Sequence, residues 1–497
     1  MAPGDGRWLT ETRTTGSAEE IYARGMSDAH DEVSRAVSAA RTRFESGRTR
    51  PLAARRRNLR ALRKLITENE REFARAVHQD LGKSATETGL MEISIVLGEV
   101  SHALRHLRRW QRPKPVRLPV TLWPGHAHLA PEPLGVVLIL APWNYPIQLL
   151  LAPLAGALAV GNTAVLKPSS QTVATSGLLV RLIPRYFPDG AVTIVDGQTA
   201  REGELLKRRF DHIIFTGSAD FGHEILRAAA EHLTSVTLEL GGKSPAWFDD
   251  DRHIDRAARR LAWAKFSNAG QTCVAPDYVM TTPDRVDALA AALGRAIWEL
   301  WGDDPRTSPD YGRIISAKHV DRLASYLDDV DVRVGGQFDR DDRYVAPTVV
   351  VVGQGQPVVG AEAAAAVMRR EIFGPILPVV SVASPQAAAD AIKGFEKPLA
   401  MYVFSGSRRT RRLFERATSS GAMVHGAGLV QLAASGLPFG GVGGSGMGAY
   451  HGEYSFKAFS HAKPVLTKPL RPDVLRLVQP PYPQPWTGLV QQLMRRG

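Results

Sequence analysis

Apolar positions recur at helical spacing over the first fifth of this chain and then give way to short apolar runs set between helical segments. From Ser27 to Trp110 the helical period is carried by Val33, Val37, Ala40 and Phe44, then Leu59, Leu62, Leu65 and Ile66, then Ile93, Val96, Leu97 and Val100. It predicts about three helices, with breaks near Pro51 and Gly82. Residues 1–26, rich in Gly, Thr and charge, read as a loose tail. Residues 113–132 carry five prolines and no helical period, so they read as an extended arm.

Beyond the arm, the runs 135–140, 164–166, 192–195, 213–215 and 236–240 are candidate buried strands. Helical segments at 147–158, 173–183 and 221–230 separate them. Buried strands alternating with helices argue for a parallel sheet covered on both faces, which binds nucleotides at the carboxyl ends of its strands. A second alternating block follows Gly241. It has helices at 254–266, 284–300, 385–393 and 408–417 and strands at 344–350, 376–382 and 399–404. Residues 436–448 form a glycine-rich loop, and 450–464 are placed to return to the arm. The fold class expected is therefore α/β.

The length of 497 residues suits roughly three domains. With 62 basic and 50 acidic residues the chain carries a net charge of +12, enough to attract polyanions in principle. The arginines, however, are scattered along helical patterns such as 55–63 and 105–112, and no RNA-binding signature or zinc-finger spacing accompanies them. They read as solvated helix faces, and no nucleic-acid partner is expected. No run reaches the roughly 18 apolar residues of a membrane span, and residues 1–7 have no signal-peptide core. A soluble, cytoplasmic protein is expected.

Cys273 is the only cysteine, which excludes an intramolecular disulfide and fits a reducing compartment. A lone thiol is either a small buried hydrophobe or a nucleophile. Its neighbours, Asn268-Ala-Gly-Gln-Thr-Cys273, are small and polar. Thirty-four residues upstream, Glu239 stands in Leu238-Glu-Leu-Gly-Gly-Lys-Ser-Pro245, a carboxylate inside an apolar run. Brought together by a fold, the two make a nucleophile and a base. His102 and His106, one helical turn apart, lack a partner carboxylate of the His-Glu-x-x-His kind and read as a helix face, so no metal site is expected.

Leu238–Pro245 followed at this distance by Gly270-Gln-Thr-Cys273 resembles the aldehyde dehydrogenase superfamily, and Phe439-Gly-Gly-Val-Gly-Gly-Ser-Gly-Met-Gly-Ala-Tyr-His-Gly452 resembles its class 3 branch. Motifs agree in order and spacing along residues 130–463. The resemblance implies a Rossmann-like cofactor domain (27–112 and 133–240), an α/β catalytic domain (241–440), a small β oligomerisation arm (113–132 and 441–465) that pairs subunits into a homodimer, and a C-terminal tail (466–497). It implies NAD(P)-dependent oxidation of apolar aliphatic or aromatic aldehydes to carboxylic acids. In that scheme Cys273 attacks the aldehyde, Asn144 in Pro142-Trp-Asn-Tyr-Pro146 steadies the oxyanion, and Glu239 activates the hydrolytic water. NAD or NADP would be held by Trp143, Lys167, Ser170, Gly217, Ser218, Gly222, Glu371 and Phe373.

Two departures from the family pattern stand out. Many NAD-preferring relatives have Glu three residues after the lysine of Leu-Lys-Pro-Ser, where this chain has Ser170. Loss of that carboxylate removes a like charge from the path of a 2′-phosphate, so NADP is expected to be accepted. Where class members carry Thr-x-Asn-Asp, this chain has Val424-His-Gly-Ala427. His425 is expected to be packed, or else a polar contact in the aldehyde tunnel. Glu239 separates the hydrolytic reading from that of coenzyme A-acylating relatives, which commonly lack it. A non-catalytic binding or structural protein on the same fold is a third reading, disfavoured by the joint presence of Cys273, Glu239 and Asn144.

Overall fold

The computed structural model describes residues 18–200, 202–328, 330–353, 365–482 and 486–495. Residues 1–17 of the expected tail, and Pro483, Pro485 and Arg496 of the C-terminal segment, lie outside the described residues.

Eighteen strands follow one another along the described chain. They are β1 (Lys114–Val116), β2 (His126–Pro133), β3 (Val136–Leu140), β4 (Thr163–Lys167), β5 (Val192–Ile194), β6 (His212–Gly217), β7 (Ser235–Leu240), β8 (Pro245–Phe248) and β9 (Tyr278–Thr281). The rest are β10 (Asp331–Val334), β11 (Phe338–Asp339), β12 (Tyr344–Val345), β13 (Thr348–Val352), β14 (Ile376–Ser381), β15 (Ala400–Phe404), β16 (Ala422–His425), β17 (Gly446–Met447) and β18 (Ser460–Thr467).

Four sheets organise them, the smallest an antiparallel pair of β11 and β12. The first, in the order β17-β7-β6-β3-β4-β5, is parallel from β7 to β5 and ends in the antiparallel β17. β3 and β4 are buried at every position, because helices cover both sheet faces and leave no side for polar residues. The second sheet runs β10-β13-β14-β9-β8-β15-β16, again parallel except at β10. The third is a small antiparallel sheet in which β2 lies between β1 and β18, with Ser460 opposite Pro133 and Thr467 opposite His126. The fold is α/β, as its sequence pattern predicts.

Several local expectations are corrected. A helix, Ala18–Glu45, begins inside the stretch read as loose tail. The helical region has an additional break at Asn69, whose side chain donates to the Leu65 carbonyl 2.7 Å away and competes with the backbone ladder. A turn of π-helix at Gly89–Ile93 adds a further irregularity. The strand expected over 344–350 is two strands interrupted at Ala346-Pro347. β8 and β9 lie in the middle of the second sheet, yet at four residues each they are too short to show a period, and Pro245 opens one of them.

Among the described residues no helix is long and apolar enough to cross a membrane, and no group of three His, Cys, Asp or Glu side chains is placed to hold a metal ion.

Candidate active site

The carboxyl ends of β6 and β7 open towards the loop that precedes β9, and Cys273 sits on that loop. Asn268, Ala269 and Gly270 have φ of 53°, 50° and 74°, so three successive residues take the left-handed conformation. Such a run is strained and persists only where its surroundings enforce it. A Cβ on residue 270 would stand 2.3 Å from the Gly374 carbonyl oxygen, which is why only glycine fits. The other motif residues lock the turn. Asn268 Nδ2 donates to the Asn144 carbonyl at 2.8 Å, and Gln271 Nε2 donates to the Asn268 and Arg313 carbonyls at 3.0 and 2.9 Å. The Thr272 and Tyr145 hydroxyls share a hydrogen bond of 2.8 Å. Asn268 to Thr272 thus set the position of the thiol that follows them.

Asn144 is buried on the loop after β3, its Nδ2 donating to the Gln271 carbonyl at 3.0 Å while its Oδ1 has no partner. A buried ion pair supports this loop from below. Lys83 Nζ meets Glu92 Oε1 at 2.8 Å and donates to the Asn144 carbonyl at 2.9 Å, while Glu92 Oε2 accepts the Ile147 N–H at 2.8 Å. Both side chains are fully buried, so removing one partner leaves a bare charge in the interior. Lys83→Met is expected to cost about 3–5 kcal/mol and lower the apparent Tm in a thermal melt. An unchanged melt would show that the pair carries no weight.

Glu239, on β7 opposite Gly446 of β17, is buried, and neither carboxylate oxygen has a hydrogen-bond partner. Burial raises its pKa well above the ordinary value. Glu371 is raised to about 8, first by burial and then by Asp277, against the lowering effect of the Gly242 backbone, Lys243 and Lys265. A Cβ on Gly241 would lie 2.1 Å from Glu371 Oε2, so this glycine admits the carboxylate. Arg322 holds the Glu371 loop by donating to the Ile372 carbonyl at 2.8 Å. Phe373, at φ 47°, meets the Trp143 ring edge-to-face at 5.3 Å.

The Cys273 thiol is pushed up to about 12, first by burial and then by Glu371 and Glu239. The sign of the Glu371 effect is testable. Once ionised, above pH about 8, it adds a negative charge that opposes the thiolate. The midpoint of iodoacetamide alkylation against pH is therefore expected to fall in Glu371→Gln relative to wild type. A midpoint that stays or rises would contradict this electrostatic account.

A cavity of about 320 Å³ joins these groups. Its wall includes Trp143, Asn144, Gly217, Ser218, Glu239, Cys273, Glu371 and Phe373, eight of the eleven residues singled out in the sequence. Ser218 caps the helix Ala219–His232 by accepting the Phe221 N–H, so an N-terminus with free N–H donors faces this cavity. Flat aromatic side chains, a helix N-terminus and unpartnered polar atoms on Glu239 and Asn144 together fit a dinucleotide and a reacting carbonyl.

The other three lie elsewhere. Gly222 is buried in the same helix, where a Cβ would meet Leu240 Cδ2 at 2.9 Å. Lys167 is buried at the end of β4 and paired with Glu202, and Ser170 is exposed beyond it.

The cavity wall also includes His319, Arg322 and Tyr326, from a stretch in which the sequence pattern gave no element. Lys83 and Glu92 also escaped notice, since a single Lys and Glu nine residues apart leave no signature. His425 is neither packed nor in a tunnel: it lies at the surface end of β16 with Nε2 2.9 Å from Glu415 Oε1.

Residues 11–465 match the aldehyde dehydrogenase family. Aldehyde dehydrogenase family 3 member B1 of Homo sapiens is 44% identical over 439 residues, covering 88% of this chain and 92% of that protein. The dimeric NADP-preferring aldehyde dehydrogenase of Canis lupus familiaris is 41% identical over 442 residues, covering 89% and 96% respectively. The substrate-bound structure of Staphylococcus aureus AldH superposes with a TM-score of 0.86 at 36% identity, covering 93% of this chain and 99% of that chain. Sheet architecture, a cavity joining thiol, carboxylate and amide, and similarity along nearly the whole chain lead to one conclusion: this chain belongs to the aldehyde dehydrogenase family, in its family 3 branch, and is an NAD(P)-dependent enzyme that oxidises aldehydes to carboxylic acids.

Proposed function

We propose that the enzyme oxidises apolar aliphatic or aromatic aldehydes hydrolytically, with Cys273 as nucleophile, Asn144 as oxyanion donor and Glu239 as the base for water. The observation that carries this reading is the enclosure of all three in one cavity, with both Glu239 oxygens unpartnered. The Cys273 thiol gives up its proton to water, the resulting thiolate bonds to the aldehyde carbon, and the carbonyl π bond breaks to leave an oxyanion. An amide nitrogen has two N–H groups, and Asn144 spends one on the Gln271 carbonyl, leaving the other for this oxygen beside the Cys273 N–H.

Trp143, Gly217, Ser218, Glu371 and Phe373 in the cavity, with Lys167, Ser170 and Gly222 outside it, are the residues that would hold the nicotinamide cofactor, which supplies the hydride acceptor when bound. Loss of hydride from the thiohemiacetal leaves a thioester on Cys273. Glu239 takes a proton from water, the hydroxyl adds to the thioester carbon, and the carboxylic acid leaves as the sulfur is regenerated. A carboxyl with a raised pKa is a stronger base once deprotonated, so the same burial that destabilises its charge suits it to this step.

The apolar substrate class is supported by a second cavity of about 430 Å³, whose wall includes Leu90, Met91, Trp263, Leu300 and Leu432 beside Glu87 and Asp310. It also includes Ser267, the start of the turn that leads to Cys273. Such a lining rewards hydrocarbon over charged substituents. The small sheet β1-β2-β18 has two free edges, which supports its use as a dimerisation arm. A single cysteine fits a cytoplasmic setting.

The test is turnover of medium-chain and aromatic aldehydes, followed by reduced-cofactor absorbance with NAD and NADP in parallel and no coenzyme A. Steady turnover is expected with both cofactors. Turnover that starts only on adding coenzyme A would replace hydrolysis with acyl transfer.

A further inference from the structure

Lys167 ends β4 at the carboxyl edge of the parallel sheet, where nucleotides bind such folds, and its side chain is 4% exposed. A buried ammonium at that edge needs an anionic partner. Glu202 provides it from the first turn of the helix Glu202–Leu206. Lys167 engages Glu202 Oε1, and with 41% of its side chain exposed the carboxylate keeps Oε2 for a ligand. Ser170, three residues after Lys167, brings no charge to this strand end; its carbonyl accepts from Gln198 Nε2 at 2.5 Å. The carboxylate on Lys167 therefore comes from a different segment, one that Ser170 alone does not reveal.

We propose that Glu202 sets the balance between NAD and NADP by reading the 2′ position of the adenosine ribose. With a free 2′-hydroxyl, Glu202 accepts its hydrogen bond while still neutralising Lys167. A 2′-phosphate meets Glu202 as like charge, and its binding requires the carboxylate to leave Lys167, whose ammonium then faces the phosphate. The inference rests on the NAD(P)-binding reading of the site. It moves discrimination from position 170 to position 202: Ser170 admits the phosphate, and Glu202 restrains it.

The test uses the full chain as wild type, Glu202→Gln, and Glu202→Gln combined with Ser170→Glu. Dissociation constants for NAD and NADP are read by titration calorimetry, beside kcat and KM for each cofactor. In Glu202→Gln the preference is expected to shift towards NADP by about tenfold, in both binding and KM. The double variant, which returns a carboxylate from the other segment, is expected to move the preference back towards NAD. A preference unchanged within about twofold, or equal weakening of both cofactors, would overturn the proposal and leave Glu202 a structural partner of Lys167. Wild type that binds neither cofactor would instead overturn the cofactor reading on which it rests.

Discussion

Replacing Cys273 by alanine is expected to lower aldehyde turnover by about 10⁴- to 10⁶-fold, since no bond to the substrate carbon can form and the remaining groups have nothing to act on. The thiol is fixed by its neighbours rather than fixing them: Asn268, Gln271 and Thr272 make the hydrogen bonds of the turn. Cys273→Ala should therefore melt close to wild type and still bind cofactor. Steady-state kinetics beside a melt separates the two possibilities. Residual turnover within about tenfold of wild type would exclude Cys273 as the nucleophile, whatever its place in the cavity.

Glu239→Gln carries the second large effect. In the proposed mechanism, thiohemiacetal formation and hydride loss do not require this carboxylate, whereas thioester hydrolysis does. One turnover should proceed and the next should stall, with the steady rate lower by about 10²- to 10⁴-fold. Stability should move the other way. A carboxyl whose folded pKa lies above its unfolded value keeps its proton in the folded state, so folding loses stability as pH rises above the ordinary value of 4.5. Glutamine removes that loss. The variant is expected to melt at or above wild type at pH 8, with the difference vanishing as pH falls to about 4.5. A variant that melts lower at pH 8 would show that the native carboxylate has a partner the burial argument misses.

Much of this enzyme was legible before its structure, for identifiable reasons. The runs at 135–140 and 164–166 became β3 and β4 because strands buried on both faces must be apolar throughout. Cys273 and Glu239 could be picked out because one is unique and the other stands where charge is expensive. Legibility failed where the information is geometric. β8 and β9 are held by their neighbours in the sheet and carry too few residues to show a period. Lys83 and Glu92 matter through a backbone carbonyl 61 residues away, which no spacing rule anticipates. The Lys167–Glu202 pair joins the end of β4 to the helix Glu202–Leu206 across 35 residues. A motif centred on Lys167 reads only the local side of that pair. A motif comparison at Val424-His-Gly-Ala427 likewise carries no sign that β16 is the edge of its sheet, which delivers His425 to solvent beside Glu415 instead of packing it.

The central claim, that oxidation passes through a Cys273 thioester cleared by Glu239-activated water, is tested most directly by mass spectrometry. Glu239→Gln is mixed with aldehyde and NAD without coenzyme A, quenched in acid after one turnover, and digested. The peptide containing Cys273 is expected to gain the mass of the acyl group in the variant and to be essentially unmodified in wild type at the same time point. An unmodified Cys273 in the variant, despite one equivalent of reduced cofactor formed, would contradict it.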